Sequence, residues 1–188
     1  MLYRILKPLA ILLFKLFFRI EVRGKEKIPK EGGFILASNH LSFLDPVVLG
    51  LASPRRLYFL ARDNLFTNKL FSFFIKKLGA VPLKRGKPDI SAMRAALKII
   101  KNNYPLVIFP QGTRGQLMET KPGVGFLFKR THVSIITARI YGTDKALPKG
   151  ARMVRFKKIK VFFDRVNNLE ENDDYQKISL KVLEKIKI

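Results

Sequence analysis

Short apolar runs, rich in β-branched and aromatic residues, punctuate the chain at intervals that leave room for helices between them. They are Gly33 to Ser38, Arg56 to Leu60, Ala80 to Leu83, Leu106 to Phe109, Val133 to Tyr141 and Arg155 to Phe163. Runs of this length and composition read as strands. Pro88 to Asn102 predicts a helix, with Pro88 near its start and Ala92, Met93, Ala96, Leu97 and Ile100 at helical spacing. Lys69 to Leu78 and Asp174 to Ile188 predict two more. Strand and helix in alternation imply an α/β fold with a mostly parallel or mixed central sheet flanked by helices. Ligands in such folds gather at the carboxyl ends of the strands. No internal repeat and no low-complexity linker marks a second domain, and 188 residues suffice for one domain with a real core.

Residues 1–24 stand apart from this alternation. Met1 to Ile20 reads as a helix whose charges Arg4, Lys7, Lys15 and Arg19 share about a third of the wheel, at about 100° per residue. Leu2, Ile5, Leu6, Leu9, Leu12, Leu13, Leu16 and Phe17 occupy the rest. An amphipathic helix of this kind lies in a bilayer interface with its basic side toward headgroups. The same face could also pack on the protein's own core, and the two placements are compatible. The longest uncharged run, Pro8 to Phe14, is far short of the roughly 20 residues a spanning helix needs. Lys15 interrupts the apolar stretch and no small-residue cleavage site follows, so a signal peptide is not expected.

Charge narrows the partners. Lysine and arginine number 37 against 14 acidic residues, a formal net charge of +23. Such an imbalance concerns what the protein meets rather than how it folds. Nucleic acid, an anionic membrane surface, and acidic soluble ligands such as phosphate esters or carrier proteins all fit. The 16 phenylalanines, many within basic, leucine-rich runs, favour lipid. With no cysteine, disulfides, thiolate metal sites and a cysteine nucleophile are excluded.

The run from Phe34 to Pro46 ends an apolar strand on the polar residues Ser38, Asn39 and His40, and reaches Asp45 after a turn. His40 therefore falls where α/β proteins place chemistry. Neutral imidazole accepts a proton near neutral pH, and a carboxylate across the turn could hold the other ring N–H and fix the tautomer. In isolation the pair also fits a loop histidine beside a helix cap. The other histidine, His132, has no such neighbourhood and reads as structural.

A second strand end, at Phe109 and Pro110, delivers Gln111, Gly112, Thr113 and Arg114. Glycine lets a backbone approach closely, and arginine offers a two-pronged fork for phosphate. A plain turn with a solvated arginine is the simpler alternative. Arg62 follows one strand and Lys84 and Arg85 another, while Lys121 precedes the Pro122-Gly123 turn. These strand ends would converge on one anion.

In order and spacing these blocks resemble the 1-acyl-sn-glycerol-3-phosphate acyltransferases, within the glycerolipid acyltransferases, over about residues 32–150. Asn39-His40-Leu-Ser42-Phe-Leu-Asp45 is similar to the family's N-H-x-x-x-x-D block, whose histidine and aspartate form the catalytic dyad. Phe59 to Phe66 and Gly79 to Arg85 are similar to its second block, which carries a basic residue early and an arginine at its end. Phe109-Pro110-Gln111-Gly112-Thr113-Arg114 is similar to its F-P-E-G-T-R block, which binds the acceptor phosphate. Two positions depart from the pattern. Gln111 stands where the family has glutamate, which removes a charge and adds two amide donors, and Thr137 stands where the fourth block has proline.

The resemblance implies that residues 25–188 form the catalytic domain and that a fatty acyl group moves from acyl-CoA or acyl carrier protein to lysophosphatidic acid. The product would be phosphatidic acid, and no cofactor or metal beyond that co-substrate is implied. His40 would be the base, Asp45 its support, and Arg114, Thr113, Gly112, Gln111, Arg62, Arg85 and Lys121 the phosphate ligands. Phe66 to Lys77 would face the bilayer, line an acyl channel or pack as core. The expected setting is peripheral, on the anionic cytoplasmic face of the cell membrane. A different lysophospholipid or an acylated amino-acid lipid is the alternative acceptor. Two rivals involve no chemistry. A nucleic-acid-binding module lacks any recognisable motif, and a passive lipid-binding protein would leave the His40–Asp45 and Gly-Thr-Arg patterns unexplained.

Overall fold

Phe34, Ile35, Leu36 and Ala37 are all fully buried, and a strand buried on both sides needs a layer on each face. The computed structural model of the chain describes residues 17–83, 90–111, 121–151, 153–170 and 172–187. Its strands are β1 (Glu21–Arg23), β2 (Ile35–Ser38), β3 (Tyr58–Arg62), β4 (Ala80–Leu83), β5 (Leu106–Ile108), β6 (Ile135–Tyr141) and β7 (Lys160–Arg165). They form a seven-stranded sheet in the order β1-β7-β6-β2-β5-β3-β4. Strands β2 to β6 are mutually parallel, β7 is antiparallel to β6, and β1 runs parallel to β7. The sheet is thus mixed, with β2 at its centre.

The helices are α1 (Asp45–Ala52), α2 (Lys69–Lys77), α3 (Ile90–Lys101), α4 (Gly123–Thr131), α5 (Thr143–Ala146) and α6 (Tyr175–Ile186). Strand alternation sorts the core. Phe34 and Leu36 pack with Val48, Leu49 and Ala52 of α1 on one face. Ile35 and Ala37 pack on the other, with Ala96 and Ile100 of α3, Val124 and Leu127 of α4, and Ile178 and Val182 of α6. Each fully buried valine, leucine, isoleucine or phenylalanine among them contributes about 1.5–3 kcal/mol. Helix α6 starts where the Asp174 carboxylate accepts the Lys177 N–H at 2.7 Å, a cap worth about 1 kcal/mol.

One edge of the sheet collects the functional segments. The carboxyl ends of β2 to β6 lie there together. Because Tyr141 of β6 pairs with Lys160 of β7, and Lys160 with Glu21 of β1, the starts of β7 and β1 lie there too.

The structure departs from the sequence expectations at several elements. Glu21–Arg23, assigned from sequence to the N-terminal segment, is a sheet strand. The rest of the proposed N-terminal helix, residues 1–16, lies outside the described residues. Phe18 is buried in the core that α1 covers. The last strand is Lys160–Arg165 rather than Arg155 to Phe163, because the Arg155 N–H bonds to the Ala146 carbonyl at 2.7 Å and not to a strand. Helices α1 and α4 were not expected. Among the described residues no helix is long and apolar enough to cross a membrane.

Helix α4 contains Gly123 and Gly125, which lower helix propensity, yet Gly125 is what lets α4 approach α6. Its N–H donates to Ser179 Oγ at 3.0 Å, and a Cβ there would sit 2.0 Å from the Tyr175 carbonyl oxygen. Gly125→Ala is expected to force the helices apart and cost about 1–3 kcal/mol. In thermal unfolding that corresponds to a loss of about 2–4 °C per kcal/mol. An unchanged melting temperature would show that the close approach is not required.

Candidate active site

Between the end of β2 and the start of α1 the chain has few residues in which to reverse direction, and polar side chains fix each part of that turn. Asn39 leaves the strand fully buried and pairs with the backbone of β6. Its Nδ2 donates to the Ile140 carbonyl at 2.8 Å and its Oδ1 accepts the Ile140 N–H at 2.7 Å. Ser42 Oγ donates to the Leu147 carbonyl at 2.8 Å. The loop is thereby tied to a neighbouring strand and to the segment after α5.

Asp45, fully buried at the first position of α1 and followed by Pro46, faces back into the loop. Its Oδ2 accepts the Leu41 N–H at 2.6 Å and the Ser42 N–H at 2.8 Å, and lies 2.8 Å from His40 Nδ1. A carboxylate oxygen bonded in this way can only accept, so Nδ1 carries the imidazole proton and Nε2 keeps its lone pair. The His40 ring stacks on Phe109, with centroids 4.2 Å apart and planes 22° apart, and its side chain remains 18% exposed. His40 Nε2 has no hydrogen bond to any described residue. The site therefore presents an oriented base at the carboxyl edge of a largely parallel sheet.

Gln111 reaches His40 from the end of β5. Its Oε1 accepts the His40 backbone N–H at 3.3 Å, and only 5% of the residue is exposed. The sequence placed Gln111 among the phosphate ligands. Its side chain also holds the loop after β2, because the β2–β5 pairing brings the end of β5 beside His40. Gln111 Nε2 and Asp45 Oδ1 are buried and have no partner among the described residues.

Arg62 is the last residue of β3 and so reaches the same edge of the sheet. Arg85, Gly112, Thr113 and Arg114 lie outside the described residues. Lys121 is exposed, and its N–H donates to the Pro110 carbonyl at 3.3 Å, which returns the chain after residues 112–120 to the end of β5. His132, read as structural, caps α4 in the left-handed conformation with φ 52°. Sequence reasoning named Phe109 only as a strand end and block position, and gave neither it nor the backbone of Ile140 a place against the loop after β2. The first belongs to an apolar strand end, and the second acts only through main-chain atoms. Among the described residues no cluster of three or more acidic or histidine side chains is placed to hold a metal ion.

The chain is similar to known proteins in sequence and in fold. Residues 19–141 match the family model described as Acyltransferase. The chain is 30% identical to the 1-acyl-sn-glycerol-3-phosphate acyltransferase of Streptococcus pneumoniae (strain ATCC BAA-255 / R6) over 146 residues, covering 76% of this chain and 55% of that protein. It is 34% identical to the protein of the same name from Bacillus subtilis (strain 168) over 96 residues, covering 50% of this chain and 48% of the other. The chain thus spans about half the length of these relatives. Its fold is similar to the crystal structure of the 1-acyl-sn-glycerophosphate (LPA) acyltransferase PlsC from Thermotoga maritima. That match has a TM-score of 0.79 at 26% identity and covers 97% of this chain and 77% of the other. The matched span of the family model includes His40, Asp45, Gln111 and Arg114, and the chain belongs to the acyltransferase family.

Proposed function

We propose that this protein transfers a fatty acyl group from a thioester, acyl-CoA or acyl carrier protein, to the sn-2 hydroxyl of 1-acylglycerol 3-phosphate, giving phosphatidic acid. The observation that carries the reading is the His40 Nδ1···Asp45 Oδ2 contact at 2.8 Å, which leaves Nε2 as the base at the carboxyl edge of the sheet. Relatives bearing the name of that activity support the choice of acceptor.

In this mechanism the acceptor hydroxyl gives its proton to His40 Nε2 while its oxygen attacks the thioester carbonyl. The new C–O ester bond forms, the C–S bond breaks, and the departing thiolate takes the proton back from the imidazolium. Asp45 stabilises the transient cation. Arg114, with Gly112, Thr113, Arg62, Arg85 and Lys121, holds the phosphate so that the hydroxyl reaches His40. Such positioning supplies several kcal/mol of the barrier, about 7–11 in favourable cases. Gln111 acts through His40 as a positioning residue. The reaction takes place at an anionic bilayer, on its cytoplasmic face, and the acceptor is drawn from that lipid.

Transfer of a labelled acyl group to lysophosphatidic acid in liposomes, with acyl-CoA and acyl carrier protein as separate donors, tests the reaction directly. His40→Ala is expected to lose at least about 10²-fold in kcat while keeping the wild-type melting profile. Near-normal turnover in that variant would remove the mechanism. Arg114→Ala should raise the acceptor KM far more than it lowers kcat, and an unmoved KM would count against the phosphate role. Gln111→Ala leaves the His40 N–H without its acceptor, at a cost of about 1–3 kcal/mol, and should lower kcat at constant KM. Gln111→Glu, which keeps an oxygen acceptor, should restore much of the loss; a failure to do so would show that the amide has another role.

A further inference from the structure

The chain between α5 and β7, residues 147–159, carries apolar side chains that the fold leaves outside. Met153 is 80% exposed, Phe156 67% and Val154 43%. The segment is nonetheless fixed at several points. Leu147 accepts the Ser42 hydroxyl of the catalytic loop, the Arg155 N–H is held by the Ala146 carbonyl, and the Ile159 N–H donates to the Phe18 carbonyl at 3.2 Å. Phe156 also stacks on Phe17, centroids 5.0 Å apart, and Phe17 is itself 43% exposed. Apolar side chains held toward water on an anchored backbone cost free energy unless something covers them.

The surrounding charge says what covers them. Lys149, Arg155 and Lys157 are exposed beside the apolar tips, Lys158 is paired with Glu21 at 3.1 Å, and no acidic residue occurs between Asp144 and Asp164. Aromatic and aliphatic tips interleaved with cations suit the boundary between anionic headgroups and acyl chains. The placement suits it as well. Since β7 starts at the edge where β2 ends, this segment lies on the same side of the sheet as His40. Phe43 in the catalytic loop, 60% exposed, and Val47 at the start of α1, 43% exposed, belong to that edge.

We infer that the 147–159 segment is a bilayer-inserting element, which seats the His40 edge of the sheet on an anionic membrane. The inference rests on the reading of the acceptor as a membrane lipid and specifies how the enzyme meets it. Apolar tips enter the acyl region, the cations bind headgroup phosphates, and His40 faces the bilayer from which the acceptor comes.

The chain contains no tryptophan, so a single introduced indole reports its own surroundings. Phe156→Trp in the full chain is expected to shift its emission to the blue on vesicles of phosphatidylcholine and phosphatidylglycerol, and to be quenched by lipids brominated on the acyl chain. Tyr104→Trp, at the opposite edge just before β5, should show neither effect. Met153→Asp with Phe156→Asp should weaken vesicle binding about tenfold or more while leaving turnover of a short-chain acceptor below its micelle concentration unchanged. Absence of quenching at Phe156→Trp, equal quenching at both positions, or a blue shift that grows with protein concentration in the absence of vesicles would each overturn the inference. Unweakened vesicle binding of the double variant would overturn it as well. None of the fluorescence readouts requires acyl transfer, so failure of insertion and failure of the proposed reaction are read separately.

Discussion

One buried carboxylate oxygen organises the turn between β2 and α1. Asp45 Oδ2 accepts two backbone N–H groups and the His40 ring N–H, and the geometry of all three follows from the place of Asp45 at the head of α1. Moving the helix moves the carboxylate, and with it the tautomer and tilt of the imidazole. The base is thus oriented by the same packing of Val48 and Leu49 against Phe34 and Leu36 that builds one half of the core. Chemistry and stability share this element, and local loosening of α1 reaches His40 without any change at the histidine itself.

A second constraint acts from the other side. The Phe109 ring and the Gln111 amide both come from the end of β5 and meet the ring and the backbone of His40 respectively. A glutamate at position 111 could accept the same N–H but would bring another negative charge beside the Asp45 dyad. The neutral amide keeps the hydrogen bond without that charge. His40 is in this way held from the end of β5, while its neighbour Asn39 is held by β6.

Much of this was legible in the sequence, for reasons that differ by element. Strand β2 declared itself because a central parallel strand must be apolar on both faces, and the polar residues after it marked its end. Helix α3 showed because Ala92, Ala96 and Ile100 bury one stripe. Helix α1 did not, since Val47, Val48 and Gly50 weaken local propensity and the helix is held by packing and by the Asp45 turn. Gly123 and Gly125 hid α4 in the same way, because the glycine that permits contact with α6 argues against a helix in isolation. The three-residue strand β1 exists only through its pairing with β7, which no local pattern encodes. At the site, the contact between His40 and Asp45 was foreshadowed by residue type and spacing. The roles of Gln111 and Asn39 depended on which strands became neighbours.

The Asn39–Ile140 pair joins residues 101 positions apart in the chain, which has a consequence for synthesis. A nascent polypeptide emerging from the ribosome displays His40 and Asp45 early, but the β6 backbone that steadies their turn is translated only after most of the domain. Strand β7, which flanks β6, comes later still. Truncated or stalled products therefore carry His40 and Asp45 without the β6 backbone that steadies their turn.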